Sequence, residues 1–438
     1  MKQYSVLLFL VLRISSASAQ QLYFPAPQAN SAWETSDPDA LGWCSFALPP
    51  LLEFLEASNT KAFIVLKDGK IVIEEYFGTF TTDSTWYWAS AGKSLTAFLV
   101  GRAQQEGLLN INDPSSTYLG TGWTSLSPAE EEAITVRNQL TMTTGLDDGI
   151  ANNNDCTQPT CLQYLAEPGT RWAYHNGPYT LLDGVLQNAT GVSLNNFLFT
   201  RLTQTTGITG AYVQLGENNV FFSKARAMAR FGLLMQGEAA WAGNPILSDM
   251  AYYDAMITPS QSLNEAYGYL WWLNGQTSFM LPGIQFPFQG PLMSNAPLDV
   301  FAALGKNGQI INVSPSTGLV VVRMGNLPGG IFVPNQYNED IWQYLMPVLC
   351  PLNGVADNVQ SALLQVYPNP ARDGLELQIA PTLIGGELQL LDALGRVLLT
   401  QHVTSERVWI DGSGIRAGSY MIALNSDAGN AVLRFVKE

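Results

Sequence analysis

The chain is poor in the residues that many binding sites require. It has only two histidines in 438 residues, so we expect no zinc site and no other metal or cofactor. Lys and Arg number 21 against 36 Asp and Glu, a formal charge of −15 at pH 7. This balance argues against a nucleic-acid partner, because phosphate binding depends on clustered cations. No apolar run reaches the roughly 20 residues of a spanning helix, so we expect no stable membrane span.

Cysteine is also scarce, and the four cysteines permit three disulfide pairings. Cys156 and Cys161 flank a short polar turn and could close a local loop. Cys44 and Cys350 would then tie the start of a large domain to its end. An even cysteine count is typical of exported proteins.

The first residues carry the features of a secretory signal. Lys2 precedes an apolar run from Val6 to Leu12, and the small residues Ala17-Ser18-Ala19 follow. We predict a signal peptide over 1–19 with cleavage after Ala19, and therefore a secreted or cell-surface protein.

Two groups of β-type sequence bracket a helical middle. The segment 62–77 alternates in hydrophobicity and is broken by Asp68-Gly69, a strong hairpin signal. A second strand group covers 300–323, and the clearest helical patterns between the two run over 90–105 and 179–187. Strands at both ends with helices between them predict an α+β domain, which we place at 20–353.

The composition changes after the last helical pattern, which runs from Asn338 to Leu349. From about Gly354 the chain consists of short β-type runs with glycine turns. This pattern predicts a small C-terminal β-sandwich over 354–438.

A candidate nucleophile stands in Ser90-Ala91-Gly92-Lys93, at the start of a helical pattern. Residues three apart lie on one helix face, so the Lys93 amine can reach the Ser90 hydroxyl. A neutral lysine can activate a serine, and burial can supply the required fall in its pKa. The pattern alone is weak evidence, because Ser58-Asn59-Thr60-Lys61 repeats it before a predicted strand, where we interpret it as a loop.

Two further segments could line the same cleft. Tyr174-His175-Asn176 places a phenol and an amide two apart, so both side chains can face one pocket. Gly305-Lys306-Asn307-Gly308-Gln309 leads into a strand and offers a cation, a small turn and free strand amides. The alternative for each is an ordinary turn, and Tyr367-Pro368-Asn369 shows the same spacing in the C-terminal part.

Of two other catalytic or binding patterns, the first is excluded and the second stays as a remote chemical alternative. A phosphate-binding loop ending at Gly92-Lys93 needs a glycine at position 87, which is Tyr. A Ser-His-Asp hydrolase of the usual type needs a glycine at position 88, which is Trp, and would have to use His175.

Taken in order, these three segments resemble the motifs of the serine β-lactamases and penicillin-binding proteins, closest to the class C type and its esterase and peptidase relatives. The resemblance implies an antiparallel sheet with flanking helices and a helical subdomain. It implies that Ser90 is acylated, that Lys93 and Tyr174 move protons, and that Asn176 and Lys306 bind substrate. Gly308 and Gln309 would complete the substrate site, with the backbone amides of Ser90 and Gln309 as the oxyanion hole.

Two residues depart from the family pattern. His175, in the middle of the tyrosine motif, could be a proton carrier or a polar loop residue, and we favour the loop residue. The other departure bears on the substrate, which we expect to be a small molecule or a peptide. Asn307 replaces the threonine that helps β-lactamases bind the carboxylate of penicillins, so we expect an esterase, amidase or peptidase before a true β-lactamase. A group of aromatic residues could line an acyl pocket or belong to the core, and their density favours the core. They are Tyr267, Tyr269, Trp271 and Trp272. The alternative to an enzyme is a penicillin- or peptide-binding module without turnover.

The C-terminal part carries a resemblance of its own. Val366-Tyr367-Pro368-Asn369-Pro370, Gly418-Ser419-Tyr420 and the ending Val436-Lys437 resemble the sorting domain of type IX secretion cargo. The resemblance implies a secretion machinery as partner. The alternative is a plain β-sandwich for adhesion.

Overall fold

The computed structural model describes residues 22–28, 31–150, 155–328, 333–350, 364–392, 397–426 and 429–437. They form two compact units, divided between Cys350 and Pro351. The predicted signal peptide 1–19 and the predicted domain boundary at 353 and 354 lie outside the described residues.

The first unit mixes strands with helices throughout. Its strands are β1 (Thr60–Lys67), β2 (Lys70–Tyr76), β3 (Thr85–Tyr87), β4 (Ala211–Leu215), β5 (Asn218–Lys224), β6 (Ala240–Trp241), β7 (Asn244–Pro245), β8 (Trp272–Leu273), β9 (Ser278–Phe279), β10 (Phe288–Gln289), β11 (Phe301–Gly305), β12 (Gln309–Ser314) and β13 (Leu319–Gly325). Its helices are α1 (Leu48–Ala57), α2 (Gly92–Gln105), α3 (Ser116–Leu119), α4 (Pro128–Glu132), α5 (Val136–Leu140), α6 (Asn176–Thr180), α7 (Leu182–Thr190), α8 (Leu194–Leu198), α9 (Gln204–Thr206), α10 (Ala225–Gln236), α11 (Met250–Met256) and α12 (Asn335–Leu349).

The main sheet has six antiparallel strands in the order β2-β1-β13-β12-β11-β8. The strand pair at the start of the chain therefore joins the strands near residue 320, as the sequence predicted. The predicted hairpin turn lies at Asp68-Gly69 between β1 and β2. The fold is thus the predicted α+β arrangement.

The central strands are buried on both faces because helices cover both faces. In β13, Val320 meets α10, where a side chain at Gly232 would lie 2.4 Å from the Val320 Cγ1. Arg323, three residues later and therefore on the other face, stacks over the ring of Tyr337 in α12 at 4.8 Å. This two-sided burial explains why the strand sequences are continuously apolar instead of alternating.

A second, three-stranded sheet of order β3-β5-β4 was not predicted. Its strand β3 ends at Tyr87, and the main-chain N–H of Trp88 donates to the carbonyl of Phe221 in β5 at 2.8 Å. This small sheet fixes the entry to α2, where the candidate nucleophile lies.

The cysteines form one of the three predicted pairings, Cys44 with Cys350 and Cys156 with Cys161. The first bond joins chain segments 306 residues apart. The second closes a loop of a few residues that packs on the Tyr174-x-Asn176 segment, since a side chain at Gly177 would lie 2.3 Å from the carbonyl oxygen of Cys156.

The second unit is a pair of antiparallel sheets, as predicted. Its strands are β14 (Leu364–Tyr367), β15 (Gly374–Ile379), β16 (Glu387–Leu391), β17 (Val397–His402), β18 (Arg407–Asp411), β19 (Gly418–Ser426) and β20 (Gly429–Lys437). The sheet orders are β14-β15-β18 and β17-β16-β19-β20. Side chains of both sheets, among them Leu377 and Ile422, form one apolar core. In neither unit does a described helix combine the length and the hydropathy that crossing a membrane requires.

Candidate active site

Ser90 lies in a tight turn immediately before α2. Ala89 takes a left-handed backbone conformation with φ of +46°, which costs a non-glycine residue about 1 kcal/mol or more. Residues Ala89–Ala91 form a single 3-10 turn, and α2 follows from Gly92. A hydrogen bond stabilises the strained turn: the buried indole of Trp88 donates to the Ser223 hydroxyl at 2.7 Å.

Lys93 reaches Ser90 as the helical spacing predicted. Its Nζ donates to the Ser90 Oγ at 3.1 Å, and its side chain is 5% exposed. Burial lowers the pKa of Lys93 from 10.5 to about 7, against the opposing charges of Asp155 and Asp183. A substantial fraction of the amine is therefore uncharged at neutral pH and can accept a proton.

Tyr174 lies on the other side of the serine. Its side chain is buried and hydrogen-bonds Ser90, and burial raises the pKa of Tyr174 above its usual value despite that bond. The Lys93 Nζ lies 5.3 Å from the centroid of the Tyr174 ring, and the ring stacks on Trp272 at 5.9 Å. The structure thus gathers the serine, the lysine and a neutral phenol at one point.

The end of β11 lies directly against the serine turn. A side chain at Gly305 would lie 2.4 Å from the carbonyl oxygen of Trp88 and 3.1 Å from the main-chain nitrogen of Ser90. Only glycine permits this approach. The sequence placed Gly305 in the third candidate segment but predicted no role for it, although a glycine at the end of a buried strand is a signal of close backbone approach.

Lys306 and Gly308 belong to the hairpin turn that follows Gly305. The side chain of Lys306 is exposed, and Asn307 donates from its amide to the Tyr87 hydroxyl at 2.8 Å. Gly308 has φ of +83°, and a side chain there would lie 2.3 Å from a guanidinium nitrogen of Arg323. Gly308 therefore allows the buried arginine to support the turn.

Gln309 is fully buried at the start of β12. Its side-chain amide donates to the carbonyl of Gly325 at 2.7 Å and accepts from the same residue's N–H at 3.1 Å. Its backbone pairs with Gly305 across the hairpin. Gln309 thus joins two strands of the sheet and lies one strand further from Ser90 than Gly305 does.

Asn176 and His175 follow Tyr174 into α6. The Asn176 amide donates to a carboxylate oxygen of Asp155 at 2.7 Å. His175 is 2% exposed, and burial lowers its pKa to about 4 in spite of the neighbouring carboxylates of Asp147 and Asp148. The imidazole is therefore uncharged at neutral pH.

These observations describe a serine with a lysine and a tyrosine around it, in an antiparallel sheet covered by helices. The model of the family described as beta-lactamase matches residues 56–345, well over half of the chain. The chain belongs to the β-lactamase family. Members of this family are serine hydrolases, and the present chain is one in this general sense.

The C-terminal unit matches a second family model, the secretion system C-terminal sorting domain, over residues 365–438. This domain marks the protein for export by type IX secretion to the cell surface or beyond. The predicted sorting domain is thus confirmed, and the plain adhesion sandwich is not supported.

Relatives of this β-lactamase-family protein are distant. An uncharacterized protein of Alkalihalophilus pseudofirmus is 26% identical over 313 residues, which are 63% of this chain and 85% of that protein. Flp of Staphylococcus aureus is 24% identical over 156 residues, and the match spans only 31% of its length. A solved structure from Bacillus anthracis, assigned as a 6-aminohexanoate-dimer hydrolase, has a TM-score of 0.53 at 18% identity and covers 70% of this chain and 83% of its own. This likeness shows the fold.

The duplicate Ser-x-x-Lys motif at Ser58 has a structural role in this β-lactamase-family protein. Ser58 follows α1, where its hydroxyl bonds the Leu55 carbonyl and the Tyr337 hydroxyl.

The aromatic residues considered as an acyl pocket are buried in the core: Tyr267, Tyr269, Trp271 and Trp272. Within the described residues, no three His, Cys, Asp or Glu side chains are grouped as metal ligands.

One buried carboxyl near the site was missed. Asp183 in α7 is 6% exposed, and burial raises its pKa to about 7, against a hydrogen bond from Asn219 and the charge of Lys93. The available signal was an acidic residue inside the otherwise apolar helical segment 181–186.

Proposed function

We propose that this protein is a serine acyl hydrolase that forms an acyl-enzyme on Ser90 from small esters, amides or peptides. The observation that carries the proposal is the 3.1 Å contact between the Lys93 amine and the Ser90 hydroxyl, made by a buried lysine whose pKa burial lowers to about 7. An amine in this state can take the serine proton while the serine oxygen attacks the carbonyl carbon.

Tyr174 supports the second half of acylation. It hydrogen-bonds Ser90 and keeps its own proton at neutral pH because burial raises its pKa. It can therefore give that proton to the leaving group and regain one from the Lys93 ammonium. Water then attacks the acyl group by the reverse route, and the product acid leaves.

The oxyanion hole that fits this geometry consists of the backbone N–H groups of Ser90 and Lys306. The Gly305 carbonyl accepts from the N–H of Gly308 inside the hairpin. The N–H and C=O of one strand residue point to one edge and those of the next residue to the other, so the Lys306 N–H points to the Ser90 side. We therefore favour Lys306 over the Gln309 amide expected from the sequence, because Gln309 lies on the next strand. Two such donors are worth several kcal/mol in the transition state.

The substrate site is less suited to penicillins than to linear substrates. The Asn307 amide, at the position expected to help bind the penicillin carboxylate, is bonded to the Tyr87 hydroxyl. We propose that Lys306 acts through its main-chain amide and that Asn176, whose amide is held by Asp155, orients the substrate. The name of the Bacillus anthracis neighbour adds short linear amides to the classes worth testing.

A substrate panel tests the proposal. Wild type and Ser90→Ala are given p-nitrophenyl esters, D-alanyl peptides, short linear amides and a chromogenic cephalosporin. We expect turnover of at least one ester or amide, weak or no turnover of the cephalosporin, and loss of all turnover in Ser90→Ala. An acyl adduct that persists for hours with every compound would instead favour a binding module, and activity retained in Ser90→Ala would exclude Ser90 as nucleophile.

A further inference from the structure

A buried polar cluster lies next to Lys93 in the interior of the first unit. Thr96, one turn further along α2, shares hydrogen bonds with the hydroxyls of Tyr179 at 3.3 Å and Tyr212 at 3.1 Å. The Lys93 Nζ lies 4.0 Å from the centroid of the Tyr179 ring. These contacts join α2 to α6 and to β4, and they place Lys93 at the edge of the cluster.

Asp183 lies in α7, which packs against α2. It lies four residues after Tyr179, and its charge acts on Tyr179, Tyr212 and Lys93. One carboxyl oxygen, Oδ1, is buried without a hydrogen-bond partner, while Asn219 bonds the side chain. An ionised carboxylate with a bare buried oxygen is costly, whereas a protonated carboxyl is not.

Asp183 and Lys93 therefore have two ways to remain neutral as a pair. If the carboxyl is ionised, the lysine must carry the compensating proton and cannot act as a base. If the carboxyl keeps the proton, the lysine is free to accept one from Ser90. Two buried ionisable groups whose charges act on each other titrate as a unit and share their protons.

We propose that Asp183 is a positioning residue that shares one buried proton with Lys93, so that the amine is uncharged when Ser90 attacks and still basic enough at neutral pH. The inference rests on the serine-hydrolase function proposed above. In the attack the Ser90 O–H bond breaks, a bond from the Lys93 nitrogen to that proton forms, and the serine oxygen bonds the carbonyl carbon. The Lys93 proton then passes through Tyr174 to the leaving group, and Asp183 keeps its own proton throughout.

Other groups also face the pair. Asp155, which is exposed, also acts on Lys93 and favours its charged form. The phenols of Tyr174, Tyr179 and Tyr212 remain protonated at neutral pH because burial raises the pKa of each. These phenols therefore cannot take the role of a buried carboxyl that changes its charge near neutrality, and Asp155 is not buried.

The test is the pH profile of kcat/KM in Asp183→Asn. The carboxamide has nearly the same shape but cannot ionise, so the form of the pair in which a carboxylate keeps Lys93 protonated is removed. The pKa of Lys93 falls, and the acid limb of the profile moves to lower pH by about one unit. The acid limb of kcat/KM also becomes a single-proton transition, because the asparagine at position 183 does not titrate. Plateau activity changes less than about tenfold, as the base is present but weaker.

Glu131→Gln is the matched control. Glu131 is as buried as Asp183 but is bonded to Gly122 and Thr124, away from Lys93. This variant loses stability without moving the acid limb. An acid limb of Asp183→Asn that coincides with that of wild type would overturn the proposal, as would an equal displacement in Glu131→Gln.

A second measurement needs no turnover. Infrared difference spectra at pH 6 between wild type and Asp183→Asn should show the carbonyl band of one protonated carboxylic acid, and that band should fade above neutrality. Its absence at pH 6 would mean that Asp183 is ionised, and would overturn the shared proton even if Ser90 is the nucleophile. Conversely, turnover that survives in Ser90→Ala removes the proposed function while leaving the infrared result intact. Asp183→Ala serves as the reference if the asparagine variant does not fold.

Discussion

Replacing Lys93 by methionine should make the protein inactive and more stable. Burial lowers the pKa of Lys93 from 10.5 to about 7, and each pKa unit corresponds to about 1.4 kcal/mol. Keeping the amine buried therefore lowers the free energy of unfolding by about 5 kcal/mol at pH 7 or below. Methionine fills a similar volume without a charge but loses the hydrogen bond to Ser90, worth about 1 kcal/mol. We expect a net gain of about 4 kcal/mol.

The gain has a defined dependence on pH. Between pH 7 and 10.5 the unfolded chain holds a proton on residue 93 that the folded chain lacks, so the stability of wild type rises with pH. The advantage of Lys93→Met should therefore shrink by about 1.4 kcal/mol per pH unit over that range. Urea unfolding followed by tryptophan fluorescence at pH 7 and pH 9 measures both quantities, since ten of the eleven tryptophans lie before residue 351.

Lys61→Met is the matched control, because it alters the lysine of the duplicate Ser-x-x-Lys motif, which lies over the Trp86 ring at 5.3 Å. We expect a change within about 1 kcal/mol. A Lys93→Met variant no more stable than wild type at pH 7, or a gain in stability that does not depend on pH, would refute the claim that burial lowers the pKa of the Lys93 amine to about 7.

Four further substitutions test separate parts of the site. Lys93→Arg should abolish hydrolysis, because a guanidinium stays charged and cannot act as a base; measurable turnover would remove the lysine from the mechanism. Tyr174→Phe should lower kcat/KM by about 10²- to 10⁴-fold, and a loss below tenfold would argue against proton transfer by the phenol. Gly305→Ala should lower kcat by about 10²-fold, because the added carbon displaces the Ser90 turn; full activity would contradict the close approach of β11. His175→Gln should leave the pH profile unchanged above pH 5, because burial lowers the pKa of His175 to about 4, and a displaced acid limb would implicate the imidazole.

Those parts of the fold and site that follow from local periodicity could be predicted from the sequence. The hairpin at Asp68-Gly69 combines alternating strands with a turn dipeptide, and both strands are where the pattern placed them. The contact between Ser90 and Lys93 follows from helical spacing, although Ser90 itself lies in the 3-10 turn before α2. Tyr174 is 81 residues from Lys93, and only the family resemblance connected the two.

What the sequence could not reveal depends on packing between distant segments. The Lys306-x-Gly308 spacing looked like a binding motif, but the glycine that meets Ser90 is Gly305. These two glycines are three positions apart, and strand register alone decides which one faces the serine. Asp183 was missed because a helical pattern does not reveal whether an acidic residue will be buried.

The most direct test of the account is rapid-quench intact-mass analysis during turnover of an ester substrate. The account predicts a transient mass increase equal to one acyl group, mapped to Ser90 by peptide analysis, that is absent in Ser90→Ala and does not accumulate in Lys93→Met. Turnover without an adduct on Ser90, or an adduct that forms as fast in Lys93→Met as in wild type, would contradict it.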